Sequence, residues 1–130
     1  MCPTSADGCN MVVGAIGGES FVVTHACPGF GAAIQRVWLT NYLIDSSCVA
    51  TMGAEPSDRA LTLEWSGIDP PTFDTGYWYP AGPPGGVRTG ATSGTAVMDV
   101  WDVGTNRMRG TFDLHFGSDH VCGCFDAVAP

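Results

Sequence analysis

The chain has 130 residues, a formal net charge of −8, 45% hydrophobic residues and only 14% charged residues. This size and hydrophobicity predict one folded domain with its own core and argue against a disordered chain. All five basic residues are arginine, and they are scattered along the sequence. Because the chain is acidic and has no basic patch to attract phosphate groups, nucleic acid is not expected as a partner.

The sequence predicts an N-terminal arm at residues 1–10 and a single all-β domain at residues 11–130. The arm is polar and turn-like. The remainder contains many glycines and prolines, which favour short strands joined by turns. No run approaches the roughly 18 apolar residues of a membrane span, so no transmembrane segment is expected.

The first predicted unit of the domain is a β-hairpin. Residues 11–16 and 20–26 are rich in strand-forming residues. Gly17-Gly18 between them favours a tight turn, because glycine tolerates a positive φ. The sequence at positions 27–29, cysteine-proline-glycine, is predicted to end the second strand.

Three further strands are predicted in the middle of the chain, at residues 33–43, 60–65 and 73–79. The first has a mixed periodicity, so a helix is its alternative. Residues 44–52 are predicted to form one helical turn, because Asp45 and Ser46 can cap it. Residues 80–90 are rich in proline and glycine and predict a loop.

The last third predicts a three-stranded meander over residues 95–103, 107–116 and 120–125. Apolar or small residues occupy every second position of the middle strand, which is the pattern of one buried sheet face. Gly117-Ser118 favours a two-residue type II′ turn. The expected fold is therefore an antiparallel β-sandwich or barrel of about seven or eight strands, with at most one short helix.

Six cysteines are many for a cytosolic chain of this length, and they lack the paired C-x-x-C spacing of a zinc ribbon. They predict disulfides in an exported, extracytoplasmic domain. The sequence does not choose among the pairings available to Cys2, Cys9, Cys27, Cys48, Cys122 and Cys124. A lipid anchor is an alternative role for Cys2, because a mature bacterial lipoprotein begins with a lipid-carrying cysteine.

The predicted turn at Gly117-Ser118 sets the register of the last hairpin. His115 is expected opposite His120, and Asp113 opposite Cys122, on the face away from the core. Two imidazoles, a carboxylate and two thiols can hold Zn²⁺ or a copper ion, so one hypothesis is a metal site. Its candidate ligands are His115, His120, Asp113, Cys122 and Cys124. The favoured alternative is that disulfides consume both thiols, which leaves no expected cofactor and two surface histidines.

A second candidate site is the aromatic run Tyr77, Trp78 and Tyr79. These rings could form a stacking platform for a glycan or a protein partner. Strand alternation places Trp78 on one face and both tyrosines on the other. The expected arrangement is a buried Trp78 with half-exposed tyrosines.

Several segments resemble a group of predicted bacterial lipoproteins that is common in myxobacteria. The opening G-x-(hydrophobic)-G-G-x-x-F of residues 14–21 is similar to theirs, as are the segments at 93–95, 110–116 and 125–127. A cysteine after a short polar turn, here at Cys48, is also frequent in that group. Departures are Cys122 and Cys124, where the group has serine or threonine. The resemblance implies an exported, envelope-associated all-β domain, and it implies no activity.

Enzyme signatures are missing from the sequence, which has no G-x-S-x-G, P-loop or H-E-x-x-H motif and no lysine. The prediction is a non-catalytic binding or structural module at the cell envelope, with self-assembly as one expected mode. The competing hypothesis is a metal-binding protein or small hydrolase centred on His115 and His120.

Overall fold

A computed structural model describes residues 2–20, 22–42, 57–68, 70–80 and 87–129, and these ranges contain strands, turns and no helix. Nine strands lie within them. Their bounds are β1 Met11–Gly14, β2 His25–Gly29, β3 Ile34–Thr40, β4 Ala60–Ser66, β5 Thr72–Tyr79, β6 Thr89–Gly90, β7 Ser93–Asp102, β8 Arg107–Phe116 and β9 Asp119–Val128. The predicted helical turn at residues 44–52 and residues 81–86 of the predicted 80–90 loop lie outside the described residues. The predicted end of that loop is wrong, because Thr89–Gly90 form β6 and pair with β5.

The strands form two antiparallel sheets. One has four strands in the order β1-β9-β8-β7, and the other has five in the order β2-β3-β4-β5-β6. The two sheets are not closed on each other. Of the two predicted architectures, the sandwich is therefore the one observed. The helix alternative for the segment that contains β3 is wrong, since β3 pairs along its whole length with β4.

The sandwich core lies between the inner faces of the two sheets. Trp65 of β4 contacts Phe125 of β9, with ring centroids 5.6 Å apart, and this contact joins the sheets. Apolar side chains of both sheets surround it, and all are buried: Val37, Leu39, Leu61, Leu63, Met108, Phe112, Leu114 and Val121. Burial of this surface is the main stabilising contribution to the fold.

Two glycines allow the large rings of the four-stranded sheet to pack. Gly110 lies directly opposite Phe125, and Phe112 lies directly opposite Gly123. A methyl group at Gly110 would lie 1.9 Å from the main-chain oxygen of Val97 and 2.7 Å from Phe125 Cζ. One at Gly123 would lie 1.9 Å from the main-chain oxygen of Met11 and 2.6 Å from Phe112 Cζ. Each ring thus occupies the space that a side chain would fill on the neighbouring strand. The small residue in the alternating pattern of β8 has this packing role.

The predicted C-terminal meander is confirmed. β7, β8 and β9 pair in sequence order, and β8 has the predicted bounds. The turn at Gly117-Ser118 has φ = 65° at Gly117, as a type II′ turn requires at that position. His115 lies opposite His120, and Asp113 lies opposite Cys122, in the predicted register.

The predicted hairpin of residues 11–16 and 20–26 is wrong. Gly17 and Gly18 do form a tight turn, with φ = 60° and 77°, closed by a bridge between Ile16 and Glu19. However, β1 pairs with β9 in one sheet and β2 pairs with β3 in the other. The chain therefore crosses between the sheets after a turn whose local sequence looks like a hairpin.

The predicted strand end at positions 27–29 is also wrong, because β2 continues through Pro28 to Gly29. β2 is an edge strand of the five-stranded sheet. Proline lacks an N–H group, but an edge strand needs hydrogen bonds on one side only. Proline consequently marks the edge of the sheet here, not the end of the strand.

The N-terminal arm lies across the outer face of the four-stranded sheet. Disulfides join Cys2 to Cys122 and Cys9 to Cys124, with Cα–Cα distances of 5.5 and 5.7 Å. Between them the Gly8 amide donates a hydrogen bond to Asp126 Oδ2 at 2.8 Å. The arm is thus fastened to β9 at both ends, and we call residues 2–10 the strap.

Charged groups add to the attachment of the strap. The Arg107 guanidinium donates two hydrogen bonds to the carboxylate of Asp126, at 2.8 and 2.7 Å. Asp7 of the strap lies 3.6 Å from both Arg107 and Arg109. Because the Asp126 side chain is only 7% exposed, its ion pair is better shielded from water than an ordinary surface pair.

Replacing Asp126 by asparagine is expected to lower the free energy of unfolding by about 1–2 kcal/mol at neutral pH. The hydrogen bonds from Arg107 lower the pKa of Asp126 below its ordinary value of 3.8. A carboxyl with a lowered folded-state pKa contributes stability at pH values above its unfolded-state pKa. That contribution is lost as the pH falls through the folded-state value. Urea denaturation of both proteins from pH 7 down to pH 3 measures the difference.

Asp99→Asn is the matched control, because Asp99 pairs with Arg109 but is half-exposed. It should change stability by less than about 0.5 kcal/mol. A constant difference between Asp126→Asn and the native protein down to pH 3 would contradict the assigned role of the Asp126 carboxylate.

Candidate functional site

The β8–β9 hairpin brings two histidines together on the outer face of the four-stranded sheet. The rings of His115 and His120 stack with centroids 4.6 Å apart and an angle of 23° between their planes. Their side chains are 49% and 44% exposed. The direct cross-strand pairing of the two residues explains the stacking, since opposed side chains on one face are close neighbours.

One carboxylate faces both imidazoles. Asp113 Oδ1 lies 2.7 Å from His120 Nε2, within hydrogen-bond distance, and 3.9 Å from His115 Nε2. Asp113 and His115 are two residues apart on β8, so strand alternation places them on the same face. The structure thus assembles His115, His120 and Asp113 as the hairpin register predicted. We call these three residues the histidine cluster.

The cysteines of the predicted metal site have another role. Cys122 and Cys124 are disulfide-bonded to Cys2 and Cys9, so neither is available as a thiolate ligand. Of the hypothesised metal ligands, only the histidine cluster stays available in the oxidised protein. Cys27 is disulfide-bonded as well, and Cys48 lies outside the described residues.

Sequence reasoning missed the proximity of Cys2 to the histidine cluster. Cys2 Sγ and ligand atoms of Asp113 and His120 all lie within 4.8 Å of one another. The signal was indirect, because Asp113 lies opposite Cys122 and any cysteine bonded to Cys122 must come close to that carboxylate. The sulfur of Cys2 is already bonded to Cys122 and cannot also carry a thioether-linked lipid. The disulfide and lipid-anchor interpretations of Cys2 therefore exclude each other.

The aromatic run does not form a three-ring platform on the surface. Trp78 faces the core, as expected, and is 4% exposed. Tyr79 is only 5% exposed, which corrects the prediction of a half-exposed ring. Tyr77 is partly buried, and the guanidinium of Arg88 covers one of its faces at 3.9 Å from the ring centroid.

Tyr79 is buried because the five-stranded sheet carries a second apolar cluster on its outer face. Tyr79 packs against Trp38, with ring centroids 5.5 Å apart, and Arg88 Nη1 donates a hydrogen bond to its hydroxyl at 3.3 Å. Tyr42 belongs to the same cluster, and burial together with the nearby Asp58 raises its pKa to about 12. The simple expectation of one buried face per strand fails at this end of β5.

Trp78 also lines a depression at one end of the sandwich, with a volume of ≈ 340 Å³. Its apolar wall includes Ile16 and Phe116, and the carboxylates of Glu19 and Asp119 lie on its border. Both carboxylates have partners: Glu19 pairs with Arg59 at 2.6 Å, and Asp119 accepts a hydrogen bond from the Gly17 amide at 2.9 Å. The two carboxylates on the border of this depression are therefore already engaged within the protein.

Comparison of the chain with models of protein families, with curated proteins and with solved structures finds no match. Within the described residues, no helix has the length and apolar character needed to cross a membrane. The function must therefore be inferred from the geometry of the strap and the histidine cluster.

Proposed function

We propose that this chain is a non-catalytic binding or structural module that works outside the cytoplasm, at the cell envelope. The observation that carries this proposal is the strap, which two disulfides fasten across the four-stranded sheet. Structural disulfides persist in oxidising compartments and are rare in a reducing cytosol. The resemblance to predicted envelope lipoproteins supports the same location.

The non-catalytic part of the proposal rests on the sequence and on the exposure of the histidine cluster. Catalytic acids and bases usually work where water is excluded and electrostatic interactions are strong. The three side chains of the histidine cluster are each about half-exposed at the end of a hairpin. A binding role suits this location better than a catalytic role does. A protein partner, a glycan partner or a second copy of the chain is the predicted binding partner.

Export into the periplasm of a bacterial host, followed by mass spectrometry, tests the oxidised state on which the proposal depends. The denatured, non-reduced protein should take up no maleimide at Cys2, Cys9, Cys122 or Cys124. Proteolysis should release peptides that join Cys2 to Cys122 and Cys9 to Cys124. In the source organism, an antibody against the domain should find it in the envelope or extracellular fraction.

The same chain produced in a reducing cytoplasm is the control. It should react with maleimide at these four positions and should be digested faster by a protease, because the strap is then held by weaker contacts. Maleimide uptake at the four positions by the exported protein would overturn the proposal. So would a purely cytosolic location in the source organism.

A further inference from the structure

We propose that His115, His120 and Asp113 form a binding site for a divalent transition-metal ion of the class that prefers imidazole ligands, Zn²⁺ or Cu²⁺. Two imidazole nitrogens and one carboxylate oxygen are ligands that such ions take in proteins. The proposal concerns the oxidised protein, in which the strap is closed. It therefore rests on the oxidising compartment of the proposed function, and its test uses oxidised protein so that the two proposals can fail separately.

Asp113 Oδ1 is the ligand atom that both imidazoles of the histidine cluster approach. Ligand atoms that bind one metal ion at about 2.0–2.2 Å stand roughly 3–3.5 Å apart in a tetrahedral arrangement. Asp113 Oδ1 lies 2.7 Å from one Nε2 atom and 3.9 Å from the other, so the observed separations bracket that value. Binding of one ion by all three groups also requires the stacked rings of His115 and His120 to turn their Nε2 atoms toward a common point, and their half-exposed positions leave room for this rotation.

The backbone that carries the ligands is held in place. His115 and His120 flank a two-residue turn and pair directly across the β8–β9 ladder. Asp113 pairs with Cys122, which the disulfide to Cys2 fastens to the strap. A preorganised backbone lowers the ordering cost of binding and distinguishes this cluster from three polar residues on a loop.

The disulfide also limits the ligand set. Because the sulfurs of Cys2 and Cys122 are bonded to each other, they supply no thiolate to the ion. Three protein ligands leave at least one coordination position open to water or to a further ligand. We therefore expect reversible binding, weaker than that of a structural zinc site with four protein ligands.

Calorimetric titration of the oxidised protein with ZnCl₂ and with CuCl₂ tests the site. One ion per chain should bind, with Cu²⁺ bound more tightly than Zn²⁺, as the general order of divalent-ion affinities predicts. His115→Gln and His120→Gln should each lower the affinity at least tenfold. Asp113→Asn should lower it less, because an amide oxygen is still a weak ligand. MgCl₂ should not compete, because Mg²⁺ prefers oxygen ligands.

His25→Gln is the matched control. The chain has three histidines, and His25 is the one outside the histidine cluster. It lies on β2 in the other sheet, and its Nδ1 is hydrogen-bonded to Thr24 Oγ1 at 2.9 Å. This variant should bind both ions as the native protein does. NMR spectra should show shifted imidazole resonances for His115 and His120 alone when one equivalent of Zn²⁺ is added.

Two results would overturn the proposal: no saturable binding of either ion, or unchanged affinity when His115 and His120 are both replaced by glutamine. A variant with Cys2 and Cys122 replaced by serine shows whether the ion is bound by the imidazoles or by sulfur. It should keep its affinity within a few-fold if the imidazoles hold the ion, and a loss of binding in this folded variant would contradict the assignment. Thermal melts of each variant verify that it is folded.

Discussion

Replacement of all four strap cysteines by serine is expected to lower the free energy of unfolding by about 7 kcal/mol in the chain-entropy model of disulfide stabilisation. The two bonds span sequence separations of 120 and 115 residues, so either bond alone closes almost the whole chain into a loop. A loop of that length contributes roughly 5 kcal/mol. Since a domain of this size is typically stable by about 5–15 kcal/mol, the variant should be unfolded at the low end of that range and should keep about half of its stability at the high end.

The two disulfides should be strongly non-additive. Once one bond is present, the other closes only a short ring of about ten residues through the strap and β9, which contributes roughly 2.5 kcal/mol. The pair Cys2→Ser with Cys122→Ser, or the pair Cys9→Ser with Cys124→Ser, should therefore each cost about 2–3 kcal/mol. The cost of removing both bonds should exceed the sum of the two separate costs.

Urea denaturation of the three variants and the native protein measures these differences, with export in each case so that Cys27 stays oxidised. The two variants with one remaining strap bond are each other's matched controls. Equal and additive losses would show that each bond acts locally, through native contacts. A loss below about 3 kcal/mol for the quadruple variant would contradict the entropic account of the strap.

Local sequence signals predicted the C-terminal meander well. The alternation of β8 and the dipeptide Gly117-Ser118 involve neighbouring residues only, and together they fix which residues oppose each other. The same register predicts that His115, His120 and Asp113 lie together on one face, as they do. A candidate site that lies on one hairpin can be predicted from the sequence, because a single turn sets the positions of its residues.

The pairing of strands and cysteines that lie far apart in the sequence could not be predicted from local patterns. The run that begins at Met11 looks like one arm of a hairpin, yet its partner β9 lies more than one hundred residues away. The bond between Cys2 and Cys122 is equally remote, and no local pattern distinguishes it from the other pairings of six cysteines. The strap, which carries the proposed function, is consequently a feature that only the fold reveals.

The prediction of half-exposed tyrosines failed because a strand can be buried on both of its faces. Alternation placed Tyr77 and Tyr79 on a solvent-facing side, whereas Tyr79 packs against Trp38 in a second apolar cluster. Both faces of β5 therefore carry buried rings at this end, with Trp78 on the inner face. An aromatic run of three consecutive rings fits such a doubly covered strand better than an exposed platform.

Trp65→Ala is expected to lower the free energy of unfolding by about 3–5 kcal/mol, the range for removal of a buried tryptophan. Trp65 is fully enclosed between the sheets, where its ring lies 5.4 Å from that of Phe73 and 5.6 Å from that of Phe125. Its removal opens a cavity that separates the two inner faces at their central aromatic contact. Urea denaturation with all disulfides intact gives the change in midpoint and in free energy.

Two variants show whether this loss comes from the cavity between the sheets. Trp65→Phe keeps a ring at the same position and should recover at least half of the loss, because a smaller cavity has a smaller cost. Ile68→Ala removes a half-exposed side chain near the end of β4 and should change stability by about 0.5 kcal/mol or less. A Trp65→Ala protein as stable as Ile68→Ala would mean that the packing of the two sheets does not depend on the Trp65–Phe125 contact.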